Sequence, residues 1–212
     1  MAAPTRIASP VSVDDGKAVP PPATRERSSA PSAAASEASG AHRAGAWAFT
    51  ALRLALGFEF LWAFVDKVFG LGYSTPSAKA WINGGSPTKG FLSGVSSGPL
   101  QGFSHAISGS AAADWLFMLG LLGIGAALIL GVAIRPAVVS GVVLLMLMWL
   151  AVWPLATVSG GQATGSTNPV VDEHVIASLG LVVIGVFAMK GAGYLGRRWA
   201  DLDLIKRMPW LR

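Results

Sequence analysis

The sequence of 212 residues contains no cysteine. This absence excludes disulfides, thiolate metal sites, iron–sulfur clusters, covalently attached haem and thiol redox cycling within the chain. Histidine is also scarce, with three residues in all. Because no haem, flavin or metal motif is present either, the sequence predicts no metal site.

Charged residues are also scarce. Charged residues make up 13% of the chain, about half of the usual ~25%. Hydrophobic residues make up 52% and the mean hydropathy is +0.55, which is too apolar for an ordinary soluble surface. The net charge of +5 comes from basic residues at the edges of apolar segments, as in membrane proteins. We therefore expect a lipid bilayer as partner and no nucleic acid.

Four apolar segments follow a low-complexity tail. Residues 1–44 are rich in Ala, Ser and Pro, which predicts a disordered cytoplasmic tail. A membrane span needs ~20 apolar residues, and this length is reached at about 45–70, 114–134, 136–157 and 170–190. The second and third spans are separated by a short turn at Arg135 and Pro136. The predicted fold class is an all-α membrane protein, a four-transmembrane-helix bundle over residues 45–193.

The basic residues predict the orientation. They are concentrated in the tail, in the short turn and in the C-terminal segment 194–212, and such residues favour the cytoplasmic side. We expect an integral cell membrane protein with both termini in the cytoplasm. Residues 71–112 then form a long outer loop, rich in Gly and Ser. Its apolar residues predict partial order, with short helices near 78–82 and 99–107, although a flexible loop is the alternative.

The first span carries four ionisable residues, Arg53, Glu59, Asp66 and Lys67. A charge at membrane depth costs from ~3 kcal/mol upward, so each is a candidate functional residue. Glu59 is the deepest and shares a helical face with Asp66. Arg53 is rotated roughly 120° from Glu59, so the two are poorly placed to pair within the helix. We predict Glu59 as catalytic and the other three as substrate-binding. The alternative is a structural ion-pair network.

The fourth span begins with a second polar group. His174 is the natural candidate for proton transfer near neutral pH, and Glu173 precedes it directly. We predict both as catalytic and Asn168 as substrate-binding. The alternative is that the acidic residues only stabilise the start of the helix. Asp114, at the start of the second span, is expected to cap that helix.

Several motifs resemble one known family. From about Ala46 to Asp203 the chain resembles the DoxX-like membrane proteins, and within them the DoxD large subunits of thiosulfate:quinone oxidoreductases. The resemblance rests on four stretches in this order: residues 53–67, the block WINGGSPTKGFL at 81–92, residues 168–174, and Gly191-Ala192-Gly193.

The resemblance implies four transmembrane helices and the oxidation of thiosulfate to tetrathionate, with a quinone as electron acceptor. It also implies a small second subunit or a soluble redox partner. In this interpretation Lys67 and Lys89 bind the thiosulfate dianion, a quinone lies near Arg53 and Glu59, and His174 or Glu173 handles protons.

Two other functions remain open. One is a non-catalytic scaffold of the DoxX type that anchors a redox enzyme complex in the membrane. The other is a small transporter, which would require a homo-oligomer because four helices seldom form a pore. The carboxylates expected at the outer rim argue against thiosulfate, since they would repel a dianion unless paired or protonated.

Overall fold

The computed structural model describes residues 33–187 and 194–211. The chain divides into two compact units, residues 1–40 and residues 41–212. Of the first unit, the described part is the beginning of a long helix. All contacts discussed below lie within the second unit.

The described residues are mostly helical. The helices, in chain order, are α1 Ala33–Phe69, α2 Lys89–Ser93, α3 Gln101–Ile107, α4 Ala111–Leu130, α5 Ile134–Val152, α6 Glu173–Phe187, α7 Tyr194–Asp201 and α8 Asp203–Arg207. Short 3-10 helices lie at Ser77–Lys79, Trp81–Asn83 and Pro209–Leu211. A two-stranded antiparallel hairpin joins Val158–Ser159 to Gln162–Ala163, with Val158 opposite Ala163.

Three helices are long and apolar enough to cross a membrane. They are Gly40–Phe69 within α1, all of α4 and all of α5. Helix α6 is apolar but has 15 residues, fewer than a full span needs. Of the predicted fourth span 170–190, residues 170–172 precede α6 and are not helical, and residues 188–190 lie outside the described residues.

The first helix starts earlier than the sequence predicts. It begins at Ala33, so the last part of the range predicted to be disordered is helical. Residues 1–32 of that range lie outside the described part of the chain. At the other end of the chain, residues 194–211 of the predicted basic C-terminal segment form α7, α8 and a 3-10 helix. Ile205 on α8 is buried.

The turn between α4 and α5 lies before the predicted position. Helix α4 ends at Leu130 and is capped by Gly131, which has a φ of 71° and donates its N–H to the Ala127 carbonyl oxygen at 2.9 Å. Glycine adopts this left-handed conformation without steric cost. Pro136 therefore falls in the first turn of α5, where proline is tolerated. Helix α5 ends at Val152 rather than at 157, because Pro154 cannot continue it.

The four longest apolar helices meet at Gly141 of α5. A Cβ atom placed there would lie 2.6 Å from Leu181 of α6, 3.5 Å from Ile124 of α4 and 3.7 Å from Phe60 of α1. The absence of a side chain at Gly141 thus lets the helices approach closely. Around this point lies one apolar core, formed by Leu56, Phe60, Met118, Leu121, Ile124, Leu128, Ile134, Val138, Leu145, Ala177, Leu181 and Ile184.

One end of the bundle holds most of the irregular chain. Here α1 ends and α4 begins, joined by residues 70–110. At the same end α5 leads into the hairpin, where the Ser159 hydroxyl donates to the Ser96 carbonyl oxygen at 3.0 Å. We call this the loop end. It positions the start of α6 beside the end of α5.

Candidate functional site

The three predicted catalytic residues come from two helices. Glu59 is on α1, while Glu173 and His174 form the first turn of α6. Within the described part of the chain, no hydrogen bond or ion pair joins Glu59 to the other two. We call these three residues the acid–histidine cluster. Its histidine lies where α6 enters the bundle from the loop end.

Asp172 orients the histidine of this cluster. Its Oδ1 accepts the Val175 N–H at 3.1 Å, so Asp172 caps α6. Its Oδ2 lies 2.9 Å from His174 Nδ1. Because an ionised carboxylate can only accept, Nδ1 carries a proton and donates this hydrogen bond to Asp172. Burial would raise the pKa of Asp172, but the hydrogen bonds from His174 and Val175 outweigh it and hold that pKa below its usual value.

Exposure differs sharply within the cluster. The ring of His174 is buried, whereas the Glu173 side chain is 82% exposed. Glu59 is exposed on the surface of α1, roughly 15 Å from the end of that helix at the usual rise per residue. The three residues therefore differ in position as well as exposure: Glu173 and His174 lie at the loop end, and Glu59 lies near the middle of a span.

Ser178 adds a buried hydroxyl to the same face of α6. It follows His174 by one helical turn, and residues four apart on a helix are neighbours. Among the described residues, its oxygen is the buried side-chain atom that has no hydrogen-bond partner. Buried polar atoms usually have a partner, so this hydroxyl has hydrogen-bonding capacity that the chain does not use. Sequence reasoning missed Ser178 because a lone serine in an apolar segment carries no local signal.

Asn168 lines a cavity in front of the cluster. Its side-chain oxygen accepts the N–H groups of Val170 and Val171, both at 2.9 Å, so it shapes the turn before α6. The cavity has a volume of about 180 Å³, and Asp172 and Glu173 also line it. The predicted substrate-binding role of Asn168 therefore coincides with a turn-forming role at the cavity wall.

A second cavity adjoins the first. It has a volume of about 440 Å³ and shares Val152 and Thr164 with its neighbour. Its lining consists of uncharged residues, among which Ser96, Ser97 and Gln162 supply polar groups. The loop end thus presents a neutral hydrogen-bonding cavity next to an acidic one.

Asp66 fastens the chain that leaves α1. It is 1% exposed and accepts hydrogen bonds from the Tyr73 N–H at 3.3 Å, the Ser74 N–H at 3.1 Å and the Ser74 hydroxyl at 2.7 Å. Its oxygens are therefore occupied by the chain itself. This geometry favours the structural alternative for Asp66 over substrate binding.

Asp114 performs the same task from the other side of the connection. Its Oδ1 accepts hydrogen bonds from the Ser86 hydroxyl at 2.9 Å, the Thr88 N–H at 3.0 Å and the Thr88 hydroxyl at 2.6 Å. The expected capping role of Asp114 is wrong, because Ser110 caps α4 by accepting the Ala113 N–H. We call Asp66 and Asp114 the loop clamps.

Arg53 binds the opposite end of α4. Its Nη1 donates to the carbonyl oxygens of Leu128 and, at 3.2 Å, of Ile129. These carbonyls belong to the last turn of α4, where a cation is favoured by the helix dipole. The arrangement favours a structural role for Arg53, and it does not pair with Glu59.

The two predicted lysine ligands stand apart from the cluster. Lys67 is half-buried and its charge interacts with that of Asp66. Lys89 is exposed at the start of α2, and its carbonyl oxygen accepts the Ser108 hydroxyl at 3.3 Å. Within the described ranges, neither lysine forms a hydrogen bond or an ion pair with Glu59, Glu173 or His174.

Asp172, Glu173 and His174 are close enough to share a cation. Their ligand atoms all lie within 4.8 Å of one another. However, the hydrogen bond between Asp172 and His174 accounts for most of this closeness without an ion. The absence of a metal site accordingly stays a prediction.

No protein-family model, curated protein or solved structure matches this chain, so the resemblance to the DoxX-like proteins rests on the sequence motifs alone.

Proposed function

We propose that this protein is a membrane-embedded oxidoreductase subunit that delivers protons to a quinone through the acid–histidine cluster. The observation that carries this proposal is the buried imidazole of His174, which Asp172 holds at 2.9 Å beside a cavity at the loop end. An oriented imidazole of this kind is suited to proton transfer. Glu59, a carboxyl group at mid-span that is costly in lipid, is the proposed proton-transfer group within the membrane.

The proposal includes a topology. It has four spans, the fourth within the predicted range 170–190, and both termini in the cytoplasm of the cell. The loop end then faces outward. The distribution of basic residues supports this orientation. Fusion of a reporter to the C-terminus and to the 158–163 hairpin tests it, since opposite sides of the membrane are expected.

Asp172, His174 and Glu59 have distinct roles in this scheme. Asp172 keeps the Nδ1 proton on His174, which leaves Nε2 to accept a proton arriving from the loop-end cavity. Glu59 then passes a proton into the membrane core. Glu173, being exposed, exchanges protons with water at the entrance.

Thiosulfate is the electron donor that the sequence motifs favour. Two thiosulfate ions form one new S–S bond and release two electrons, giving tetrathionate. The quinone takes up these two electrons and two protons to become a quinol, so charge and atoms balance. We place thiosulfate in the uncharged 440 Å³ cavity. The repulsion expected from the rim is reduced at the loop clamps and at Asp172, because hydrogen-bond donors partly compensate their charges. Glu173 lines the adjoining cavity, and its side chain is exposed to water.

The test is quinone reduction by the purified full-length chain in lipid nanodiscs, with thiosulfate as donor and decylubiquinone as acceptor. His174→Gln is expected to lower turnover about a hundredfold, the usual contribution of a general acid–base group. His42→Gln is the matched control, because His42 is exposed on α1, seventeen residues before Glu59, and should leave turnover unchanged.

Folded protein without turnover, alone and with co-purifying partners added back, would contradict the oxidoreductase proposal. Tight co-purification of a redox enzyme would then favour the non-catalytic scaffold. Proton flux across the membrane of liposomes made from the same lipids as the nanodiscs, without any redox reaction, would instead favour a transporter.

A further inference from the structure

Three aromatic rings form a ladder along the surface of α1. The rings of Phe58 and Trp62 stack with their centroids 5.7 Å apart and an interplanar angle of 24°. Trp62 meets Tyr73 edge to face, with a centroid distance of 5.1 Å. We call Phe58, Trp62 and Tyr73 the aromatic ladder. Phe58 is 59% and Tyr73 is 78% exposed, so ring surface remains open.

The upper rung of the ladder is held in place by a loop clamp. Asp66 accepts the N–H of Tyr73 and both donors of Ser74. The chain after α1 is thereby turned back over its own helix, which places Tyr73 against Trp62. The ladder is therefore a positioned feature of the fold.

Glu59 lies on the same side of α1 as the ladder. It precedes Trp62 by three residues, and residues at this spacing are neighbours on a helix surface. Its carboxyl group is exposed and, within the described part of the chain, receives no hydrogen bond. Acyl chains of lipids offer neither donors nor acceptors, so lipid alone leaves this group unsatisfied.

The molecule that fits this surface has two properties. It presents a flat ring to the open faces of Phe58 and Trp62, since aromatic rings favour stacked partners. It also carries an oxygen that can hydrogen-bond to Glu59 beside the ring. A second apolar helix meets the first requirement but leaves Glu59 without a partner.

We propose that the aromatic ladder and Glu59 form a lateral binding site for the ring of a lipid-soluble quinone that enters directly from the bilayer. This inference rests on the proposed function and adds the residues that hold the ring. The protonated carboxyl group of Glu59 donates to a ring carbonyl oxygen, and the ring lies against Phe58 and Trp62. Trp62 is a positioning residue in this site.

The experiment measures equilibrium binding of decylubiquinone to the full chain in nanodiscs, with no electron donor present. Trp62→Leu is expected to weaken binding about tenfold, and Glu59→Leu, which removes the hydrogen-bond donor, by a similar factor. Trp115→Leu is the matched control. Trp115 is also an exposed tryptophan in a ring pair, with Trp81 at 4.7 Å, but it lies on α4. Decylbenzene, which has the ring and tail but no carbonyl groups, should bind equally well to Glu59→Leu and to wild type.

Photolabelling locates the site independently. An azido derivative of the same quinone should label the segment 58–73, and excess decylubiquinone should prevent this. If Trp62→Leu fails to fold, Phe58→Leu replaces it, because Phe58 is largely exposed and tolerates truncation. Unchanged affinity in a folded ladder variant, or labelling confined to other segments, would overturn the inference. So would a change of oligomeric state in Trp62→Leu with unchanged quinone affinity.

Binding and turnover separate this inference from the proposed function. Quinone bound at the ladder without thiosulfate-dependent reduction would support the site and refute the activity. Reduction with an unchanged KM for quinone in Trp62→Leu would support the activity and refute the site.

Discussion

The two pairs of acidic groups in the bundle behave in opposite ways. The loop clamps, Asp66 and Asp114, are buried and accept hydrogen bonds from the backbone and side chains of the α1–α4 connection. Glu59 and Glu173 are exposed, and within the described ranges no hydrogen bond from the chain reaches either carboxylate. One pair holds the fold together, while the other is free to exchange protons.

This contrast separates structure from chemistry on a single helix. Glu59 and Asp66 share one face of α1, and sequence spacing alone treats them as equivalent. The chain from Tyr73 to Thr75 covers that face at Asp66 and leaves it open at Glu59. A carboxylate that the fold already satisfies has little capacity left for a substrate. Accordingly, Glu59 is the stronger candidate for chemistry.

The largest effect on stability is expected from removing a loop clamp. Asp66→Ala leaves the Tyr73 N–H and both donors of Ser74 without their acceptor, so we expect a loss of about 3 kcal/mol. Thermal unfolding in detergent measures it. Asp203→Ala is the control, because the Asp203 side chain is 94% exposed. Equal unfolding temperatures for the two variants would break the distinction between clamps and free acids.

Glu59→Gln tests the role of the exposed acids. Glutamine keeps the size of the side chain but cannot exchange a proton, so turnover should fall about a hundredfold. Stability should change by less than about 1 kcal/mol, because the group is exposed. Quinone reduction and thermal unfolding are measured on one preparation. A variant that unfolds at lower temperature but keeps its turnover would place Glu59 among the structural residues.

Two glycines of α4, Gly125 and Gly123, allow a test of whether helix packing, rather than the loop clamps, fixes α1 against α4. A Cβ at Gly125 would lie 2.8 Å from the Leu61 backbone nitrogen and 3.0 Å from the Gly57 oxygen. Gly125→Ala should therefore cost about 2 kcal/mol through overpacking. Gly123 is the control on the same helix, since nothing lies within 4 Å of its Cβ position. Equal stability of the two alanine variants would refute close packing at Gly125.

The sequence predicted what depends on local composition. Three of the four expected spans are seen as helices long and apolar enough to cross a membrane, because a run of apolar residues is enough to identify such a helix. The sequence also singled out Glu59, Glu173 and His174, since ionisable residues stand out in apolar surroundings. It could not show how they are arranged relative to one another, because α1 and α6 are far apart in the chain.

The residue roles that the sequence did not reveal depend on contacts between distant segments of the chain. Arg53 binds carbonyl oxygens 75 and 76 residues away, and Asp114 binds Thr88 across 26 residues. Neither partner can be identified from spacing within one helix. Asp114 also follows Ser110, and both residue types cap helices well, so the choice between them required the fold.

The smallest effect concerns Asp172, which lies between the two classes. It is paired like a clamp but belongs to the entrance of the cluster. Its pKa is held below the ordinary value of 3.8, so its ionised form stabilises the fold at all pH values above that value. This contribution is lost as the pH falls through the lowered pKa.

We therefore expect wild type to be more stable than Asp172→Asn at pH 7, by about 1 kcal/mol or less, as for one hydrogen bond. The difference should shrink only in strong acid, below the ordinary pKa of Asp172. Thermal unfolding of both proteins across this pH range measures it. If the difference in stability between the two proteins instead disappears between pH 5 and 8, His174 rather than Asp172 controls the hydrogen bond between them.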